Sequence, residues 1–377
     1  MIRSLTIENY KLHRRLKMNL GSLTVLTGVN SSGKSSVIQA LLLLRQSFFQ
    51  GALNEGLMLN GDLLSVGLCR DALCQDAEED YIGFGLDLGN SGAVWKWDAG
   101  DSIMGKDFLP LINEPPVEFW KECALFGNDF QYVSAARVKP SESYPLNTNM
   151  VEVKRQMSQK YGECDLVAHF LHYYGVEKKI EVLPELIHEQ GEAIDLLSQV
   201  SMWERIISDD VRVEPGKGDK SYSLKYSYQI GGDSSASFSA ANVGYGLSYA
   251  LPVVVALLSA NKGSLVLVEN PEAHLHESAQ AELGGLIGRA AQAGVQVMVE
   301  THSNHILNGI LVGTKRFENG EAGVDRNLVR MYYMKRHPET LTSELDEIKI
   351  MGDGKIDHQP DGFFNRQDKD MSYLLGF

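Results

Sequence analysis

Gly28-Val29-Asn30-Ser31-Ser32-Gly33-Lys34-Ser35 reads G-x-x-x-x-G-K-S, and its flanks decide the fold. Before it, Leu23-Thr24-Val25-Leu26-Thr27 is apolar and β-branched, the composition of a buried strand. After it, the stretch from Ser36 to about Phe49 predicts a helix with Val37, Ile38, Leu41, Leu42 and Leu44 on its buried side. A glycine-rich loop between a strand and a helix N-terminus is a phosphate cradle. Its backbone N–H groups wrap an anion, and the helix dipole favours the negative charge. In such a loop Gly28, Asn30, Ser31, Ser32, Gly33, Lys34, Ser35 and Ser36 line a nucleotide. Lys34 reaches the β- and γ-phosphates, and the Ser35 hydroxyl ligates Mg²⁺.

A second element of the same kind lies far downstream. Leu265-Val266-Leu267-Val268 is a continuous apolar run tipped by Glu269-Asn270-Pro271-Glu272, as in a central parallel strand with acids at its carboxyl end. That end is where ligands sit in open α/β sheets, and an acid there helps to hold Mg²⁺. Ala273-His274-Leu275-His276 then opens a helix running through Gly288. A further strand, Val295 to Glu300, ends in Thr301-His302-Ser303, and a His just past a strand end can contact a γ-phosphate or the attacking water. No Cys or clustered ligand accompanies His274 and His276, which argues against zinc.

Composition narrows the remaining classes. The chain has 377 residues, 44% apolar and 22% charged, ordinary for a globular protein. It carries 49 acidic against 35 basic residues, a formal net charge of −14, which speaks against a surface that is basic throughout. Cys69, Cys74, Cys123 and Cys164 form no C-x-x-C pair and read as free thiols in a reducing compartment. The N-terminus alternates like a strand, without the apolar core of a signal peptide, and no apolar run reaches membrane-spanning length. A cytoplasmic location without membrane association is expected.

The order of these elements resembles the ABC-type ATPases, and more narrowly their RecF/SMC/OLD branch. Pro271-Glu272-Ala273-His274-Leu275-His276 and Thr301-His302-Ser303 carry the likeness. Such a protein has a signature segment shortly before the acidic strand, and Asn242-Val243-Gly244-Tyr245-Gly246-Leu247-Ser248 stands there, ahead of an apolar helix from Tyr249 to Ser259. The resemblance implies that Asn242, Gly244 and Gly246 contact nucleotide held by a partner subunit, so that the protein works as a homodimer around two nucleotides. It also implies ATP and Mg²⁺ as cofactors and a catalytic set of Lys34, Glu269, Glu272 and His302, with Ser35 and Glu269 on the metal. The C-terminal run Pro360-Asp361-Gly362-Phe363-Phe364-Asn365 resembles the P-x-G-F-F-D-Q tail of a bacterial ATPase family with a terminal domain of unknown function. The Arg137, Pro140, Tyr144 run fits the same family. Its members are associated with bacterial defence.

One departure matters for chemistry. ABC-type ATPases commonly end this strand in Asp-Glu, the Glu polarising water. Here Glu269 takes the first place and Asn270 the second, and an amide cannot accept the proton. Glu272 is the nearest other carboxylate, and His302 can orient the water instead. Slow hydrolysis is therefore expected, with ATP acting more as a clamp than as fuel.

The expected architecture is α/β: an ABC-type P-loop ATPase lobe, a mixed sheet with flanking helices, interrupted by a compact β-strand and helical insertion without a long coiled-coil arm. Residues 1–50 and 241–335 make the two parts of the lobe, 51–240 the insertion and 336–377 a tail segment. Tyr81–Leu88 and Ala93–Trp97 read as antiparallel strands, Phe130–Ser134 as a strand returning to the core sheet, and Ser221–Ile230 as a strand. Met150–Tyr174 and roughly Glu185–Ser208 read as helices, and Glu214–Asp219 as a solvated turn. Beyond the last lobe strand too little chain remains for a nuclease domain, and Asp368-Lys369-Asp370 reads as a charged surface turn. The function expected is a sensor or regulator subunit working with a separate nuclease or effector protein. The rivals are a RecF-like clamp that binds DNA directly and an ATP-locked scaffold. The basic groups Arg3, Arg14, Arg15 and Lys17, with Arg326, Arg330, Lys335 and Arg336, keep nucleic acid open as a partner.

Overall fold

The computed structural model describes all residues except 115–118, 192, 231–232, 341, 361–362, 364–372 and 375–377. Its centre is a six-stranded sheet. The strand before the phosphate loop, Leu23–Gly28, lies between Gln296–Glu300 and Val329–Arg336 and is parallel to both. Leu265–Glu269 follows on the Gln296 side, and Phe130–Val133 closes that edge, both still parallel. Ser343–Ile348 adds one antiparallel strand at the opposite edge, so the sheet is mixed.

The apolar runs of the central strands follow from burial on both faces. Successive residues alternate between two cores. Val25, Val266, Val268, Val297 and Val299 pack into one, while Leu26, Leu265, Leu267 and Met298 pack into the other. The second core is closed by a four-stranded antiparallel sheet in the order His13–Asn19, Ser4–Tyr10, Tyr81–Asp87, Gly92–Asp98. Between the two sheets runs the helix Lys34–Phe49, apolar on nearly every side and almost wholly buried. A helix with that composition is stable only when covered all round. Trp95, Trp97, Phe84 and Ile7 supply the cover from above.

The first core carries the helices Tyr245–Leu258, Glu277–Gln292 and Asn304–Glu318. Against them sits a smaller sheet built on Val211–Lys217 and Ser221–Ile230, with helices Val167–Leu171 and Leu196–Glu204. The stretch 51–240 is thus divided in space. Its hairpin Tyr81–Asp98 joins the N-terminal strands and Phe130–Val133 joins the central sheet; Leu53, Leu57, Cys69, Leu109 and Phe126 pack into the second core with the Lys34–Phe49 helix, and Tyr144, Phe170, Trp203 and Tyr226 pack into the first core with the helix that begins at Tyr245.

Several local expectations differ from the structure. The phosphate-loop helix starts at Lys34, and the apolar helix expected from Tyr249 begins at Tyr245 and continues through Pro252. Ala273–His276 is a turn in which His274 adopts φ 63°, and the helix starts at Glu277 with His276 as its cap. The helical reading of 150–174 fails because Arg155, Tyr161 and Cys164 adopt positive φ. Only Asn149–Val153, Val167–Leu171 and His172–Glu177 are helical there, the first and last with π-type turns. Pro184–Leu186 and Leu196–Glu204 are the two short pieces of the second expected helix. Glu214–Lys217 belongs to a strand rather than a turn, because its partner strand Ser221–Ile230 extends the hairpin to Lys217↔Tyr222. Asp368–Asp370 lies outside the described residues, as does the 336–377 tail in part. Phe363 is buried on that tail and meets the Tyr333 ring edge-on at 5.8 Å. The four cysteines are free and buried. Among the described residues no helix is long and apolar enough to cross a membrane.

Candidate nucleotide site

The phosphate loop rises from the middle of the central sheet, at the carboxyl end of Leu23–Gly28. Two of its glycines are dictated by geometry. Gly28 adopts φ 130°, and a Cβ there would fall 2.0 Å from the Met334 carbonyl oxygen of the neighbouring strand. Gly33 adopts φ 97°, and its Cβ would meet the His13 ring at 2.8 Å. Both conformations are open to glycine and strained for other residues. Val29, Asn30 and Ser31 form the exposed rim of the loop. Ser32 and Ser36 are buried, and the Ser32 hydroxyl has no hydrogen-bond partner.

Lys34 bends back over the loop. Its Nζ donates to the carbonyls of Gly28 at 3.1 Å and Val29 at 2.7 Å. Burial pulls its pKa below the ordinary lysine value, with the charge of Glu300 working in the opposite sense. Beneath the loop, His13 Nε2 is 2.9 Å from the Gly33 carbonyl oxygen. Burial pushes the His13 pKa down to about 4, so the ring is neutral and supports the loop without adding charge.

Ser35 donates its hydroxyl to Glu300 Oε1 at 3.0 Å. Glu269, the acid expected there, instead accepts from the Tyr132 hydroxyl at 3.2 Å and from the Ala135 N–H at 3.3 Å. The reason lies in the strand order. Gln296–Glu300 is the neighbour of the loop strand, and Leu265–Glu269 is one strand further away, next to Phe130–Val133. Glu269 and Glu300 are register partners across the two parallel strands. Burial raises the pKa of both carboxyls. For Glu300 the charge of Glu269 adds to burial and brings the value to about 7. Glu300 and Tyr132 are functional candidates that motif reading passed over. The Glu300 signal was present, since Val297-Met298-Val299-Glu300 repeats the apolar-then-acid pattern of Val266-Leu267-Val268-Glu269.

Glu272 is tied to the other loop of the site. Its Oε2 accepts from the Thr301 hydroxyl at 2.8 Å, and its Oε1 accepts from the His302 N–H at 2.9 Å. A carboxylate committed in this way is a positioning group for the His loop more than a proton acceptor. The His302 side chain reaches the phosphate loop. Its pKa is lowered by burial and by the Lys34 charge, while Glu272 and a hydrogen bond to the Gly28 backbone act in the raising direction. Glu272→Gln is therefore expected to move the His302 pKa further down, because only the raising charge is removed. An NMR pH titration of the imidazole checks this, and an upward shift contradicts it.

Arg137 joins the acidic strand to the segment read as the signature. It is buried, and its guanidinium donates to the carbonyls of Glu269 at 2.6 Å, Asn270 at 2.8 Å and Tyr249 at 3.2 Å. Asn270 adopts φ 46°, which turns its carbonyl to that guanidinium, and its N–H donates to the Glu300 carbonyl at 2.8 Å. The structure thus gathers Lys34, Ser35, Glu269, Glu272, Glu300 and His302 around one loop. Asn242, Gly244 and Gly246 stand apart from it. Asn242 and Gly244 are exposed, and Gly244 caps the helix Tyr245–Leu258 with open space around its Cα. Gly246 lies under the His274 carbonyl, where a Cβ would be 3.0 Å from the oxygen. Among the described residues, no hydrogen bond joins Asn242–Gly246 to the phosphate loop.

Residues 1–83 match a family model described as AAA ATPase domain, and residues 167–308 match one described as AAA domain, putative AbiEii toxin, Type IV TA system. Residues 324–374 match a protein family of unknown function, DUF3696. Among solved structures, the chain is similar to an SMC head bound to the C-winged helix domain of ScpA, with TM-score 0.52 and 12% identity over 93% of this chain and 98% of that one. It is similar also to the Smc head domain with an extended coiled coil bound to the C-terminal domain of ScpA from Pyrococcus furiosus. There the TM-score is 0.50 and the identity 12%, over 100% of this chain and 98% of the other. No curated protein matches the chain. The fold is that of these SMC head structures, a mixed sheet with flanking helices, and among the described residues there is no long coiled-coil arm.

Proposed function

We propose that the protein binds ATP with Mg²⁺ at Gly28–Ser36 and hydrolyses it slowly, as a nucleotide-driven clamp that dimerises around two nucleotides. The observation that carries this reading is the loop itself: a glycine-shaped cradle at a helix N-terminus, with Lys34 folded over it and Ser35 at its mouth. The residues suit a divalent cation. The Ser35 hydroxyl is paired with a carboxylate, and the other oxygen of that carboxylate, Glu300 Oε2, is buried without a hydrogen-bond partner. Ser35 and a carboxylate at a strand end would hold the ion, which supplies charge neutralisation at the phosphates when bound. Lys34 leaves its loop carbonyls to meet the β- and γ-phosphates. Glu272 holds the backbone of His302 so that its ring faces the loop. Asn270 offers no base, and the pairing of Glu272 leaves that deficit in place.

Asn242, Gly244 and Gly246 complete the site only from a second copy, since in one chain they stand away from the loop. The wider role we assign is regulation of a separate nuclease or effector protein, on the resemblance of the ENPEAHLH and tail motifs to defence-associated ATPases. Direct DNA binding is the rival reading, supported only by scattered basic side chains. Several of those are already paired: Arg14 with Asp76 and Glu78, Arg326 with Glu318, and Lys335 with Glu344. The test combines steady-state hydrolysis with light scattering. The expected results are turnover far below the enzyme median of roughly 10 s⁻¹ and a shift from monomer to dimer on adding ATP and Mg²⁺. Fast turnover by a species that stays monomeric overturns the proposal.

A further inference from the structure

We propose that Glu300 is the carboxylate that binds the divalent cation directly beside Ser35, giving up its hydrogen bond to that hydroxyl when the ion enters. This deepens, and rests on, the ATP reading of the phosphate loop. The distance between the two oxygens is the first argument. Ser35 Oγ and Glu300 Oε1 are 3.0 Å apart. Neighbouring ligands of an octahedral Mg²⁺, at about 2.1 Å from the ion, are about 3.0 Å from each other. An ion taking the hydroxyl therefore finds this carboxylate oxygen already at the adjacent vertex.

The second argument is the unpaired oxygen. Glu300 is 5% exposed, and its Oε2 accepts no hydrogen bond. A buried carboxylate oxygen without a donor is costly, and buried charges are stable when paired or when they coordinate a metal. The third is the state of the alternative. Both oxygens of Glu269 are engaged, one by Tyr132 and one by the Ala135 N–H, on the side of the strand away from Ser35. The fourth is charge. A buried and a half-buried carboxylate stand side by side across the register, and the cation near them, Lys34, has its Nζ on loop carbonyls. A divalent ion relieves that repulsion. Mg²⁺ is commonly held by one or two carboxylates with substrate phosphates, so Glu300 and one hydroxyl suffice.

Glu300→Gln separates this role from a structural one. The amide oxygen can still accept from Ser35, so support of the loop persists while the anionic ligand is lost. ATP binding is measured by calorimetry in EDTA and in Mg²⁺ for the wild type, Glu300→Gln and Glu269→Gln. The ion itself is followed as Mn²⁺ by electron paramagnetic resonance with ATP present. In the wild type Mg²⁺ is expected to tighten ATP binding by about tenfold or more. Glu300→Gln should bind metal-free ATP at least as tightly as the wild type, because a negative charge beside the phosphates is removed, gain less than about twofold from Mg²⁺, and lose the bound-Mn²⁺ signal. Glu269→Gln should keep most of the gain. An equal Mg²⁺ gain in the wild type and Glu300→Gln overturns the assignment, as does a loss confined to Glu269→Gln. Failure of the wild type to bind ATP in either condition overturns the nucleotide reading instead.

Discussion

Lys34→Ala should weaken ATP binding by about two orders of magnitude, the equivalent of one or two charge-assisted hydrogen bonds, and should abolish turnover. Within Gly28–Ser36 Lys34 is the single basic residue, so no neighbour on the loop can replace its charge. Its ammonium is already desolvated, which is why burial lowers its pKa, and in that environment its attraction to a phosphate is screened far less than in water. Its two bonds to the Gly28 and Val29 carbonyls are exchanged for phosphate oxygens on binding, so the ligand's gain is offset only by contacts the loop can re-form with water. The fold should survive. The helix N-terminus keeps its glycine conformation at Gly33, and Ser36 N–H still reaches the Gly33 carbonyl at 3.1 Å. The check is equilibrium titration with ATP, together with circular dichroism to show an unchanged fold. Binding within about threefold of the wild type, roughly 0.7 kcal/mol, would remove Lys34 from the phosphate site.

The legibility of the site from sequence depended on whether a role is written locally. The phosphate loop is local: eight consecutive residues, a strand before and a helix after, and the structure forms that strand, loop and helix. The central strands were equally readable, since burial on both faces forces unbroken apolar runs ending in acids or histidine. Glu300 was hidden because its role depends on strand order. Nothing in Val295–Glu300 alone says that this strand, and not the one ending in Glu269, lies next to the loop strand. The path of residues 150–208 was hidden for another reason. Its apolar residues serve the first core through short turns of mixed type, and non-glycine residues at positive φ interrupt it where composition promises continuity.

Asn270 shows the two levels together. By sequence it is the loss of a base. In the structure its backbone does further work, with its carbonyl on Arg137 and its N–H on the Glu300 carbonyl. The position therefore has to satisfy a left-handed turn, which asparagine tolerates better than most side chains. Restoring a glutamate there would test chemistry at the expense of that turn.

Arg137→Ala is expected to be the most damaging single change outside the phosphate loop. The guanidinium is buried and spends its donors on three backbone carbonyls from two different elements, the end of the acidic strand and the first turns of the helix that follows Asn242–Gly244. Removing it leaves those carbonyls without their donor, a penalty of about 1–3 kcal/mol for each buried group that finds no other partner. Thermal unfolding should move down by several degrees, and expression of folded protein should fall. Arg137→Lys gives the sharper result. It retains the positive charge and most of the apolar stem, so folding is expected to persist, yet one ammonium cannot span the fork that reaches both Glu269 and Tyr249. The two elements then lose their fixed spacing. On the proposed function one holds an acid of the cis site and the other leads into the segment offered to a partner's nucleotide, so the lysine variant should bind ATP normally and turn it over about 10²-fold more slowly, the scale of a 1 Å misplacement of reacting groups. Its ATP-dependent dimer should be weaker in light scattering for the same reason. A purely structural role for Arg137 forecasts the opposite split: reduced stability with unchanged turnover per folded molecule in Arg137→Lys.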